Sequence, residues 1–211
     1  MDNVVHVSSV TDNVLTTCGI KWARVGMVVT DSGDNSYTIT EINHEARTIT
    51  LSENLITGTT IALKMPLFSS GTPIATNKEW KAFDRDERAK LPFAWLVEPT
   101  KERFKGQQDT LERESDILMV FLDSNNVNQW LTMDTHDNRL QSLYNMVDAF
   151  IQAIKDNPLF YSDLLEFDTK NFTKFGKETT RGMELNIIDA NLTGVELRLT
   201  LPINRAEECY C

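Results

Sequence analysis

The 211-residue sequence is poor in the residues on which catalytic, secreted and membrane scaffolds are usually built. It has three cysteines, Cys18, Cys209 and Cys211, too few and too unevenly placed for a disulfide framework. The terminal "CYC" lacks the second pair of ligands that a tetrahedral metal site needs. No apolar run approaches the roughly 20 residues that span a bilayer. "DILMVFLDS" is closed by aspartates after a short apolar stretch, and "MDNVVHVSSV" has neither the basic start nor the apolar centre of a signal peptide. The expectation is a protein that matures in the cytoplasm of the cell that makes it, with no membrane partner.

Positive charge is also scarce, with 21 Lys and Arg against 31 Asp and Glu for a net charge of −10. No basic stripe with interleaved aromatics occurs, which argues against nucleic acid held by phosphate contacts. Residues 116–211 are the most one-sided, with 8 basic and 15 acidic groups. Such an acidic wall lets DNA slide past without sticking. The chain has no glycine-rich phosphate loop, nucleophile elbow, H-E-x-x-H or paired C-x-x-C. The expectation is therefore no catalytic residue, no metal, no cofactor and no enzyme.

What is present is patterned. "GMVVTDSGDNSYTITEINHEARTITLSENLITGTTIAL" alternates β-branched runs with turn chemistry, the spacing of a small antiparallel barrel or sandwich. "LFSSGTPIATN", residues 67–77, reads as a linker, and "NKEWKAFDRDERAKL" as a short helix capped by Asn77 with Trp80, Phe83 and Leu91 inward. "PFAWLVEP" is a strand, and "SDILMVFLDSN" is too continuously apolar to be anything but a central strand covered on both faces. Leu140, Leu143, Val147, Phe150 and Ile154 then step by three or four along one helix that Pro158 ends. "MELNIIDANL" and "GVELRLTLPI" close the pattern as two strands, with Val195, Leu197, Leu199 and Leu201 on one face and Glu196, Arg198 and Thr200 on the other.

The expected class is α+β: an antiparallel sheet with one main packed helix, in the order β-β-α-β-β over residues 78–211, preceded by a small all-β part over residues 1–77.

Two clusters test the absence of chemistry. "MDTHDNRLQ" places Asp134, His136 and Asp137 together, as a metal site or an acid/base pair would. They also stand where the helix should start, so Asp134 or Thr135 capping free N–H groups is the preferred reading. A metal would want a further ligand one turn on, where Leu140 and Gln141 stand, and His6 and His44 lie far off in the β region. "TDSGDNS" offers Asp31, Asp34 and Asn35 but no distal glutamate, so a hairpin turn is preferred to a calcium loop.

The features left over suit partners. The polar excursion Thr100 to Glu114 is too long for a plain hairpin turn and holds Phe104 alone amid charge. Trp95, Trp130, Phe160, Tyr161, Phe172 and Phe175 are more aromatic mass than one small core obviously needs.

The order of "PFAWLVEPTKERF", "RESDILMVFLDSN", the helix "DNRLQSLYNMVDAFIQAIKD" and "GVELRLTLPI" resembles the tail-completion and tail-terminator proteins of tailed bacteriophages, over just over half the chain. The β-rich first 77 residues depart from the minimal pattern of that family as an added domain, which leaves the position in the virion open between the tail end and a neck or connector ring, as in short-tailed phages such as the crAss-like group. The resemblance implies a non-enzymatic virion subunit made in the host cytoplasm, a ring-forming homo-oligomer at the head–tail junction. Its partners would be portal, neck or tail proteins, with DNA only as cargo in the lumen. Phe104, Lys105, Gln107, Trp95 and Trp130 are the expected inter-subunit contacts. The competing expectation is a ligand- or glycan-binding accessory protein using the first 77 residues, where Trp22 and Tyr37 are the available aromatics.

Overall fold

The computed structural model describes residues 3–54, 58–82, 90–105, 112–124, 132–160, 165–175, 177–180, 183–186 and 192–203. The chain forms two compact units, one of residues 1–65 with 130–149, the other of residues 66–129 with 150–211.

In the first unit, β1 (Val4–Thr11), β2 (Val14–Thr17), β3 (Val28–Asp31), β4 (Ser36–Asn43), β5 (Thr48–Leu51) and β6 (Thr60–Ala62) close into a barrel in the order β1, β2, β5, β4, β3, β6. Every pairing is antiparallel, and closure leaves this sheet no free edge. Inward positions alternate along the strands: Val5 and Val7, Tyr37 and Ile39, Ile49 and Leu51 are all buried. An irregularity between Ile39 and Glu41 resets the alternation, so Tyr37 and Ile39 stay inside while Glu41 goes to solvent. Trp22 fills the core and donates its indole N–H to Lys64 O at 2.9 Å.

Helical chain completes this unit. Backbone from α2 (Thr132–Thr135) passes through a π-turn (His136–Leu140) into α3 (Gln141–Lys155). Three side chains on this run reach one barrel segment. Arg139 donates to Val25 O at 3.0 Å, Ser142 to Ala23 O at 2.5 Å and Asn145 to Lys21 O at 2.5 Å. Donors three residues apart on the helix meet carbonyls two residues apart on the segment, so helix and segment run antiparallel.

The capping expectation at Asp134 and Thr135 is corrected here. Thr135 is helical (φ −64°, ψ −42°) with no side-chain cap, because the helix is already under way at Thr132. Burial of Thr135 and Arg139 favours continuing the helix over starting it there.

The second unit is a five-stranded sheet in the order β10 (Glu166–Phe175), β13 (Leu192–Ile203), β9 (Glu112–Ser124), β8 (Phe93–Lys105), β7 (Leu67–Gly71), with a separate ribbon of β11 (Lys177–Thr180) and β12 (Met183–Asn186). The α+β class holds, and β9, read from its apolar run as central, is the third strand of five.

Several details differ from expectation. The supposed linker 67–77 is β7 followed by α1 (Pro73–Ala82). Pro73 takes the first helical position, and the Thr72 hydroxyl accepts the Ala75 N–H at 3.4 Å, so the helix starts before Asn77. Gly71, at φ +151°, makes the strand-to-helix bend that a side chain would strain. Because β7 runs parallel to β8, the sheet is mixed and not purely antiparallel. The strand beside β13 is β10, whereas Met183–Asn186 pairs with β11.

One core of this unit gathers Trp80, Leu91, Phe93, Trp95, Val120, Leu122 and Leu192, with Trp80 and Phe93 edge to face at 5.2 Å. Lys90 is buried beside them, its ammonium 2.6 Å from Trp80 O and over the Trp80 ring. Phe121, on the alternate face of β9, meets Phe150 of α3 at 5.8 Å. Among the described residues no helix is long and apolar enough to cross a membrane.

Candidate functional site

The π-turn carries the cluster that first suggests chemistry. His136 Nδ1 lies 3.2 Å from Asp137 Oδ1, and both side chains are exposed. The structure adds a residue that helical spacing could not reveal: His44, in the turn after β4, titrates under the influence of Asp137 and His136. Burial holds the His44 pKa below its ordinary value, the backbone and carboxylate of Asp137 pull it back up, and His136 adds a smaller push downward. Its Nε2 is buried without a hydrogen-bond partner. Among the described residues no three His, Cys, Asp or Glu are placed to hold a metal ion.

The second sequence candidate, "TDSGDNS", is a self-satisfied turn. Asp31 accepts the Gly33 N–H at 2.8 Å, the Asn35 N–H at 3.0 Å, the Asn35 amide and the Tyr37 hydroxyl at 3.0 Å. Its carboxylate is committed to the hairpin.

A third feature had no sequence signal. Cys18, Gly19, Ile20, Lys21, His44, Arg47, Gln141 and Asn145 line a cleft of about 340 Å³ in the first unit. Its walls come from three separated segments: the end of β2, the turn between β4 and β5, and α3.

The expected inter-subunit residues fall differently. Trp95 is 2% exposed and donates its indole N–H to Gly71 O at 3.0 Å, so its side chain belongs to the core. Phe104 and Lys105 lie on β8, paired with Arg113 and Glu112. Gln107 and Trp130 lie outside the described residues. Much of the polar excursion is therefore paired strand. Beyond an irregularity between Val97 and Lys101, β8 and β9 continue from Lys101↔Asp116 to Lys105↔Glu112, with cross-strand ion pairs Arg103–Asp116 and Arg113–Glu102.

Among the described residues, this extension leaves the sheet open on both sides. β7 accompanies β8 only as far as Val97, so Lys101, Glu102 and Arg103 form an exposed edge. On the opposite side β10 is terminal, and Glu166 to Asn171 are all exposed. Glycan-stacking aromatics are not offered by the barrel, because Trp22 and Tyr37 are 1% and 3% exposed. Compared with protein-family models, curated proteins and solved structures, the chain matches none of them.

Proposed function

We propose that the protein is a structural subunit of a bacteriophage virion, assembling as a ring at the neck or tail end through which DNA passes. The observation that carries this reading is the pair of open edges on opposite sides of one sheet: Lys101–Arg103 of β8 and Glu166–Asn171 of β10. Exposed backbone donors and acceptors on an edge pair readily with another chain. Two unlike edges on one sheet suit head-to-tail contact, in which the β8 edge of one copy extends the β10 edge of the next. Such heterologous contacts close into rings when the rotation permits. The exposed edges differ in charge: Lys101, Glu102 and Arg103 carry a net +1, with Arg103 paired to Asp116 and Glu102 to Arg113 in the same chain, whereas Glu166, Asp168 and Lys170 carry a net −1. The acidic excess of residues 116–211 favours a lumen that DNA passes without adhering. Portal, neck or tail proteins are the partners that this placement calls for.

Native mass spectrometry and negative-stain imaging test the reading, with and without those partners. A closed homo-oligomer is expected. The double variant Lys101→Glu/Arg103→Glu should shift it toward monomer, and adding Glu166→Lys/Asp168→Lys in the same chain should restore it. Monomers under all of these conditions would overturn the reading.

A further inference from the structure

We infer that the cleft between the end of β2, the β4–β5 turn and α3 is a binding site for a phosphate group. This site lies in the first unit and is independent of the sheet edges that carry the ring reading.

The first argument is charge placement. Residues 1–77 contain four basic side chains, Lys21, Arg24, Arg47 and Lys64, in a protein of net charge −10. Two of those four, Lys21 and Arg47, line this one cleft, and among the described residues no carboxylate does. The other polar walls are the Gln141 and Asn145 carboxamides, the Cys18 thiol and His44. Cationic heads and amide N–H groups are the donors that a tetrahedral oxyanion takes, with Arg supplying paired N–H groups, Lys a point charge, and the carboxamides the N–H that their bonds to Lys21 O and Asn145 Oδ1 leave over.

The second argument is backbone geometry. Four described non-glycine residues have left-handed backbone: Asp12, Lys21, Asp34 and Arg47. The aspartates occupy ordinary turn positions that their side chains tolerate. Lys and Arg gain no such local compensation, and held strain of this kind gathers at ligand clamps. Both are held through their own carbonyls. Arg47 O accepts the Thr17 N–H and hydroxyl, each at 3.0 Å, and Lys21 O accepts from Asn145 at 2.5 Å. The backbones that carry the two cations are thereby held in place before any ligand arrives, which lowers the entropic cost of binding. A volume of about 340 Å³ holds a phosphate and leaves room for a small attached group.

The test uses the full chain in two-dimensional amide NMR, titrated with inorganic phosphate, with glycerol 2-phosphate, and with sodium chloride at matched ionic strength. Saturable shifts at Cys18, Lys21 and Arg47 are expected with the phosphates but not with chloride. Tighter binding of glycerol 2-phosphate assigns the site to a phosphate monoester, and equal or weaker binding to the free anion. Arg47→Asn and Lys21→Asn keep a residue that accepts left-handed backbone, so the fold should survive, as the rest of the spectrum will report. Each should weaken phosphate binding by at least about tenfold, the scale of one charge-assisted contact. Shifts that chloride reproduces, or binding unchanged in both well-folded variants, would overturn the assignment.

Discussion

Ser142→Ala separates two opposing effects by the sign of its result. Ser142 lies inside α3, where alanine is the better helix former by about 0.5 kcal/mol. If its hydroxyl did nothing, the substitution would stabilise the protein by that amount. The hydroxyl donates to Ala23 O at 2.5 Å, however, and Ser142 and Ala23 are 2% and 0% exposed. Removing the donor strands a buried carbonyl, which costs about 1–3 kcal/mol. The net expectation is destabilisation by about 0.5–2.5 kcal/mol, or roughly 2–4 °C of melting temperature per kcal/mol for a chain of this length. Asp148→Ala, at an exposed position of the same helix, is the control that should gain stability. Urea melts followed by tryptophan fluorescence and circular dichroism read both variants. Arg139→Met should lose more, since its bond to Val25 O is charge-assisted, and the combined variant less than the sum, because the three donors grip one segment. A Ser142→Ala protein as stable as the control, or more so, would refute the ladder as a stabilising contact.

Asp31→Asn places an amide donor among the Asn35 and Tyr37 donors and removes the charge that strengthens those bonds, so a loss of about 3 kcal/mol is expected in urea melts; a loss below about 1 kcal/mol would contradict the committed-carboxylate account. Leu197→Ala and Arg198→Ala test the register of β13 at adjacent positions: the first, fully buried, should cost about 2–5 kcal/mol, and the second, exposed, should stay within about 0.5 kcal/mol of wild type. His44 has its folded-state pKa held below the ordinary 6.5, so the unfolded chain takes up the proton first as pH falls. Stability that this residue contributes above pH 6.5 is therefore lost as pH falls through the lower folded value. The urea midpoint of His44→Gln should vary less than wild type between pH 7.5 and 5, and parallel profiles would remove His44 from the account.

Legibility in the sequence followed burial. Val195, Leu197, Leu199 and Leu201 alternate cleanly because one face of β13 is buried, and all four are core. The helix stripe was nearly as readable, with Leu140, Leu143, Val147 and Ile154 buried as their spacing implies and Phe150 half-buried. Strand β10 was not, since "EFDTKN" is exposed on both faces and leaves no period of two to detect. The β8–β9 extension was hidden likewise under charged side chains, although the pairing of Arg103 with Asp116 and Glu102 with Arg113 is written there as opposed charges. The start of α1 was masked by Ser, Gly and Thr, whose turn chemistry in this instance supplies a cap. The cleft and the approach of His44 to Asp137 depend on tertiary placement of distant segments, which no local spacing records.

The division of the chain has a consequence for the order in which the protein is made. Strands β1 to β6 are synthesised by Ala62, yet the donors for the Lys21, Ala23 and Val25 carbonyls arrive only with residues 139–145. In the interval the ribosome delivers β7, β8 and β9, whose own sheet then waits for β10 and β13. Each unit is thus completed by chain that follows the beginning of the other, and simple N-to-C, unit-by-unit folding during translation does not apply. A fragment cut at residue 77 would carry every barrel strand and still lack the helix that seats on the segment from Lys21 to Val25.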